Sequence, residues 1–191
     1  MLSYSTRRDA HSTTNSDGWS TKRIAVTALF CAVAAISTLF IEFPILPGVT
    51  FLKYDPSAIA ALIAGFAFGP STGAVVSILP YLVHLATQSG MYGAFMAIVA
   101  TLSLVLPASI VYQRKTSFAG AVAGMAIGAI ICLVTVIVAN IIVTPLYMGA
   151  PRETVIGMIV PVLLPFNVIK IAINCVVTAL VYKPLSMALQ D

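Results

Sequence analysis

Charge is what this sequence has least of. Its 191 residues include ten lysines and arginines and six aspartates and glutamates, so charged side chains make up only 8%. Against that stand 60% hydrophobic residues and a mean hydropathy of +1.03. A water-soluble domain cannot cover itself with so little polar surface, so the solvent around most of this chain is lipid. Cysteine is scarce too: Cys31, Cys132 and Cys175 lie inside apolar runs without C-x-x-C spacing, which excludes a disulfide framework and a cysteine metal site. There is no G-x-x-x-x-G-K-[ST] loop, so ATP hydrolysis of that type is not expected in this chain. An H-E-x-x-H, a G-x-S-x-G and a carboxylate pair within the apolar runs are equally missing, which leaves an enzyme reading without nucleophile or base. No resident cofactor or metal is expected. The formal net charge of +4 does not point to nucleic acid, because the cations sit at the edges of apolar segments and not in a stripe interleaved with aromatics.

What is present is a series of apolar runs. Residues 1–21 are rich in Ser, Thr, Asn and Asp and read as a disordered cytoplasmic tail, and residues 22–191 as one membrane domain. The first run opens after Lys22 and Arg23 and is long enough to span, so it reads as a retained helix and not a cleaved signal. It covers residues 24–43 and is stopped by Pro44, Pro47 and Gly48. A second, short run follows Pro56 and ends near Gly69 and Pro70; a third covers residues 71–86 with Pro80 inside it. The fourth covers residues 92–112 with Pro107 inside, and a basic turn at Gln113, Arg114 and Lys115 leads to a long fifth ending near Tyr147. The sixth spans residues 154–182, broken by Pro161 and Pro165. With both ends inside, the cytoplasmic side collects Arg7, Arg8, Lys22, Arg23, Arg114, Lys115 and Lys183, and the outer loops hold Lys53 and Arg152. That asymmetry fits an even number of crossings. The expected fold class is therefore an all-α integral membrane protein with six transmembrane helices, N-in and C-in, and an outer capping loop between helices 1 and 2. The second run is the weakest crossing, but making it re-entrant would put Arg114 and Lys115 outside.

Polar side chains inside such runs carry the functional argument. Lys170 lies within the last run, where a lysine costs about 3 kcal/mol on insertion scales, so its ammonium needs a cavity, a ligand or a polar partner. Snorkelling to the surface is the plainer alternative. Asn167 is on the same helical face, and Asn140 sits deep in the fifth run, where it serves either to bridge helices or to meet a ligand. Pro165 frees a backbone carbonyl nearby, as in the broken helices of transporters. These groups suit a neutral heterocycle with imide-like edges. His84 reads first as a packing residue, since no Asp or Glu lies in the spans to form a proton relay with it. Ala28 and Ala32 make a small-residue face on the first helix, and Gly120, Gly124 and Gly128 a ridge on the fifth; either serves packing within the chain or against a partner.

The stretch Phe51-Leu52-Lys53-Tyr54-Asp55-Pro56-Ser57, with Phe68-Gly69-Pro70, Leu82-Val83-His84-Leu85, Pro145-Leu146-Tyr147, Pro165-Phe166-Asn167-Val168-Ile169-Lys170 and Tyr182-Lys183-Pro184-Leu185, resembles the S components of energy-coupling factor transporters, most of all the riboflavin-specific ones. The resemblance spans residues 22–185. It implies a riboflavin-binding subunit of the bacterial cytoplasmic membrane that captures the vitamin outside and works with a membrane coupling subunit and two ATPase subunits. It places Asn140, Asn167 and Lys170 at the ring system and Ala28 and Ala32 against the coupling subunit. The loop of residues 47–54, with Thr50, Phe51, Leu52 and Tyr54, would cap the pocket, and His84 completes the implied substrate-binding set. Two stretches depart from the family pattern: Ala58-Ile59-Ala60 stands where an acidic residue and a proline often follow, and Pro80-Tyr81-Leu82-Val83 where a basic residue and an asparagine often precede the histidine. Other readings from the residues are an S component for another vitamin or a purine-like ligand, a stand-alone secondary transporter, and a scaffold without substrate.

Overall fold

The computed structural model of the chain describes residues 19–86 and 90–188, the side chains of 84–86 and of those beyond 182 excepted. Most of the expected tail, and the side chain of His84, thus lie outside the described residues. Helix α1 (Thr21–Phe40) starts where Ser20 caps it, the hydroxyl accepting the Arg23 N–H at 3.2 Å. Two short strands follow, β1 (Phe43–Pro44) and β2 (Lys53–Tyr54), paired antiparallel with Phe43 opposite Tyr54 and their rings edge-to-face at 5.6 Å. The expected capping loop thus carries a small hairpin within an otherwise all-helical fold. Pro44 tolerates the edge of such a pair because it has no N–H to donate.

Helix α2 (Ser57–Phe68) has only 12 residues, about 18 Å at 1.5 Å per residue, and most of them are buried. Gly69 turns the chain with φ 93°, a conformation open to glycine, and Pro70 begins α3 (Pro70–Ile78). At Pro80 the missing N–H breaks the α ladder, and the helix continues as a 3-10 segment (Leu79–Ala86). Helices α4 (Gly90–Arg114) and α5 (Phe118–Met148) pack closely along their length. The glycine ridge is the reason: a Cβ on Gly124 would stand 2.5 Å from the Ala108 carbonyl oxygen, and one on Gly128 2.4 Å from that of Leu104. This ridge serves packing inside the chain.

The sixth apolar segment is divided into α6 (Arg152–Gly157), a π-helical turn (Ile159–Leu163) and α7 (Leu164–Ala188). Pro161 lies in the π turn and Pro165 at the start of α7, where their missing N–H groups disturb the regular ladder; Leu163 N–H instead reaches back to the Met158 carbonyl at 3.0 Å.

Four helical segments are long and apolar enough to cross a bilayer, in α1, α4, α5 and from the π turn through α7; α2 and α3 are shorter apolar helices. Exposed Ile130, Val134, Val138 and Ile142 form a continuous apolar stripe on α5 that only lipid or protein can cover. The chain is a membrane protein. On α1, Thr27, Ala34 and Thr38 face inward, whereas Ala28 and Ala32 are exposed. The two alanines therefore do not pack within this chain.

The two ends of the bundle differ. Near one end Arg23 donates to Thr72 Oγ1 (2.9 Å) and Ser71 Oγ (2.6 Å), and the hydroxyls of Tyr112 and Tyr182 meet at 2.8 Å. The first contacts tie the start of α1 to the start of α3, and the last ties the end of α4 to α7. The hairpin lies at the other end.

Candidate substrate-binding cavity

A cavity of about 580 Å³ opens at the hairpin end, between Thr50, Phe51 and Leu52 of the cap, the first turns of α4, the C-terminal half of α5 and the start of α7. Its size is that of a pocket for a drug-sized ligand. Asn140, Asn167 and Lys170 all line it. Three polar residues from two separated apolar runs thus share one hollow, which disposes of the snorkelling alternative for Lys170.

Each amide is oriented by its own helix. Asn140 donates from Nδ2 to the Val136 carbonyl at 2.7 Å and accepts at Oδ1 from Thr144 at 2.9 Å. Asn167 Nδ2 donates to the Leu163 carbonyl at 2.7 Å. Leu163 closes the π-helical turn, so this bond holds the Asn167 amide against its own helix. No donor among the described residues reaches Asn167 Oδ1, which is left as an acceptor at the cavity wall.

Lys170 has a partner the sequence reading missed. Its Nζ lies 3.1 Å from Asp55 Oδ2, both side chains largely buried. Asp55 is not in a span but in the link between β2 and α2, and a search for acidic partners along the helices passes over it. The other carboxylate oxygen accepts from the Ser57 N–H (3.1 Å), the Ser57 hydroxyl and the Tyr81 hydroxyl (3.1 Å). Tyr81 in turn meets Thr101 Oγ1 of α4 at 3.3 Å. Burial alone would push the Asp55 carboxyl up; the Lys170 ammonium and the Ser57 donors outweigh it and hold it below the usual carboxylate range. One carboxylate therefore links α7, the base of the cap, the 3-10 segment and α4. A buried charge is tolerable only when paired and hydrogen-bonded in this manner. Tyr81, which stands in one of the stretches that depart from the family pattern, lines the cavity as part of this network.

Thr50, Phe51 and Leu52 line the cavity as expected of a cap, whereas Tyr54 does not. Side chains alternate along a strand, so when Lys53 faces the cavity Tyr54 turns under the hairpin, where its hydroxyl donates to Asn174 Oδ1 at 3.1 Å. Tyr54 anchors the cap to α7. At the mouth, Lys53 pairs with Glu42 at 3.4 Å.

The family model for the substrate-specific component of ECF transporters matches residues 22–182. The chain belongs to this family. Among its relatives are riboflavin transporter RibU of Staphylococcus aureus (strain TCH60), 29% identical over 172 residues that make up 86% of this chain and 90% of that protein. RibU of Streptococcus thermophilus (strain ATCC BAA-250 / LMG 18311) is 29% identical over 180 residues, 88% of this chain and 85% of the relative. Riboflavin transporter FmnP of Bacillus subtilis (strain 168) is 24% identical over 173 residues, 84% of this chain and 90% of the relative. Among solved structures, the S component of a bacterial ECF transporter superposes with a TM-score of 0.76 at 29% identity, covering 89% of this chain and 98% of that one.

Proposed function

We propose that this ECF substrate-specific component binds riboflavin in the cavity under the hairpin and imports it together with a membrane coupling subunit and two ATPase subunits. The observation that carries the reading is the convergence of Asn140, Asn167 and Lys170 on one hollow. The pyrimidine edge of an isoalloxazine presents carbonyls and one N–H. The ammonium of Lys170 and the second N–H of Asn140 supply donors, and Asn167 Oδ1 supplies an acceptor. Phe51 and Leu52 above and Met96, Ala97 and Ala100 of α4 give a flat ring apolar cover. The naming of the relatives as riboflavin transporters supports the same ligand.

In this reading the chain crosses the cytoplasmic membrane of a bacterium six times, N-in and C-in. Helix α2 is short for a hydrocarbon core of about 30 Å, but other helices surround it, so it need not match the lipid thickness by itself. Arg23 and the basic end of α4 lie at the end of the bundle opposite the cavity, so the positive-inside rule turns the cavity mouth outward. The exposed face of Ala28 and Ala32 is then the surface for the coupling subunit, because small side chains let a partner helix approach closely.

Mass spectrometry of small molecules released from the purified chain tests the ligand. Riboflavin in near-stoichiometric amount is the expected result. A different vitamin in its place would keep the family and overturn the specificity.

A further inference from the structure

The end of the bundle opposite the hairpin carries charge of one sign. Lys22 and Arg23 stand at the start of α1, and Arg114 and Lys115 at and just beyond the end of α4. The acidic side chains among the described residues are elsewhere: Glu42 and Asp55 line the cavity, and Glu153 follows the end of α5 that borders it. The two basic pairs are neighbours. A Cβ on Gly69 would stand 2.6 Å from Gln113 Nε2, and Gly69 leads directly into the Ser71 and Thr72 that hold Arg23. Arg23 is fixed from several sides: its guanidinium carbon lies 4.5 Å from the centre of the Trp19 ring, Nε donates to Thr72 Oγ1 and Nη2 to Ser71 Oγ. Both acceptors are neutral hydroxyls, so the guanidinium is held in place with its charge uncompensated. Nη1 has no partner among the described residues, and the Ser71 hydroxyl keeps its own proton to donate. A fixed planar cation with free N–H donors beside a hydroxyl donor is the chemistry that receives a phosphate.

We propose that this end binds the headgroup phosphate of an anionic phospholipid, with Arg23 as the residue that fixes it and Lys22, Arg114 and Lys115 adding attraction. A lipid suits the place better than a soluble anion. Helix α1 leaves the hydrocarbon here: Ile24 and Leu29, farther along it, are exposed apolar side chains that acyl chains can cover, and a tryptophan such as Trp19 settles at headgroup level. Basic pockets between transmembrane helices take anionic headgroups by this combination of charge and position. The inference uses the membrane setting of α1 and α4 and does not depend on which ligand fills the cavity.

Trp19 is the single tryptophan of the chain, so its fluorescence reads this place alone. The full chain is reconstituted in phosphatidylcholine vesicles in which a rising share of the lipid is replaced by phosphatidylglycerol or, in parallel, phosphatidylcholine with brominated acyl chains, which quench a tryptophan they touch. The readout is the ratio of the two association constants at Trp19, in which a change in the tryptophan's own emission cancels. The wild type is expected to favour phosphatidylglycerol about fivefold or more, the effect of one basic residue at a membrane surface. Arg23→Gln brings the ratio to about one. Ser71→Ala keeps every charge but removes one of the hydroxyls that hold Arg23, and it lowers the ratio as well; Lys115→Gln lowers it less than Arg23→Gln does. Equal quenching of the wild type by the two lipids overturns the site, and it is the result expected if an acidic protein surface is the true occupant. A preference that Arg23→Gln and Lys115→Gln reduce alike, with Ser71→Ala unchanged, belongs to a diffuse field of basic residues and overturns the assignment to Arg23.

Discussion

Replacing Lys170 by methionine keeps most of the unbranched side chain and removes its charge, so it separates what the ammonium does for the fold from what it does for the ligand. Lys170 Nζ stands 3.1 Å from Asp55 Oδ2 with side-chain exposures of 13% and 7%. Removing one partner of a buried pair costs about 3–5 kcal/mol, because the other charge stays behind. Asp55 keeps its Ser57 and Tyr81 donors and borders a cavity that water can enter, so the loss expected here is nearer the lower bound, about 2–4 kcal/mol. Asp55→Asn alone leaves the ammonium unpaired and should also destabilise. The double variant Asp55→Asn/Lys170→Met has neither charge and is expected to regain at least half of the single-variant loss. Riboflavin affinity should behave differently. Losing a charged donor to a flavin carbonyl costs about 1.5–3 kcal/mol, or about 10- to 150-fold in Kd, and the double variant does not restore it. Thermal melts of ligand-free protein in detergent and flavin-fluorescence titrations give the two readouts. If the two single-variant losses simply add in the double variant, the ion pair is not the coupling drawn here; if Lys170→Met binds riboflavin as the wild type does, the ammonium is not a ligand contact.

Three other substitutions test separate parts of the structure. Gly124→Leu places side-chain atoms where the Ala108 carbonyl stands and must push α4 and α5 apart, so the melting temperature should drop by the equivalent of about 1–3 kcal/mol or more; an unchanged melt would mean that the glycine ridge is not a contact. Changing Ala28 and Ala32 together to leucine is expected to leave riboflavin binding intact and reduce co-purification with the coupling subunit, because both positions are exposed on α1. Loss of binding with assembly intact would reverse that assignment. Tyr54→Phe removes the donor to Asn174 and leaves a buried amide oxygen unmet, a cost of about 1–3 kcal/mol, with faster riboflavin release as the cap loosens; an unaltered release rate measured by stopped flow would refute the anchoring role.

Much of the architecture was legible in the sequence because lipid imposes a simple rule on it. Long apolar runs bounded by prolines, glycines and basic residues marked α1, α4 and α5 closely, and Pro161 and Pro165 marked the break before α7. The hairpin escaped notice because its paired stretches are two residues each, too short for a period to show. Asn140, Asn167 and Lys170 stood out as polar exceptions in apolar helices, and they do share one hollow. Asp55 did not stand out, because in a polar link a carboxylate looks like any solvated residue; the fold of the cap is what turns it onto Lys170. Tyr54 and Lys53 are neighbours in one motif, yet one lines the cavity and the other fastens the cap, a distinction set by strand alternation. Tyr81 was named only as a departure from a family pattern, and its role in the Asp55 network depends on the 3-10 turn at Pro80.

Titration of riboflavin into the purified chain, without coupling or ATPase subunits, tests the central claim most directly. A saturable quench of flavin fluorescence at one flavin per chain, weakened by Lys170→Met, is the predicted result. Flavin fluorescence that stays unquenched at every concentration of a folded protein would contradict it.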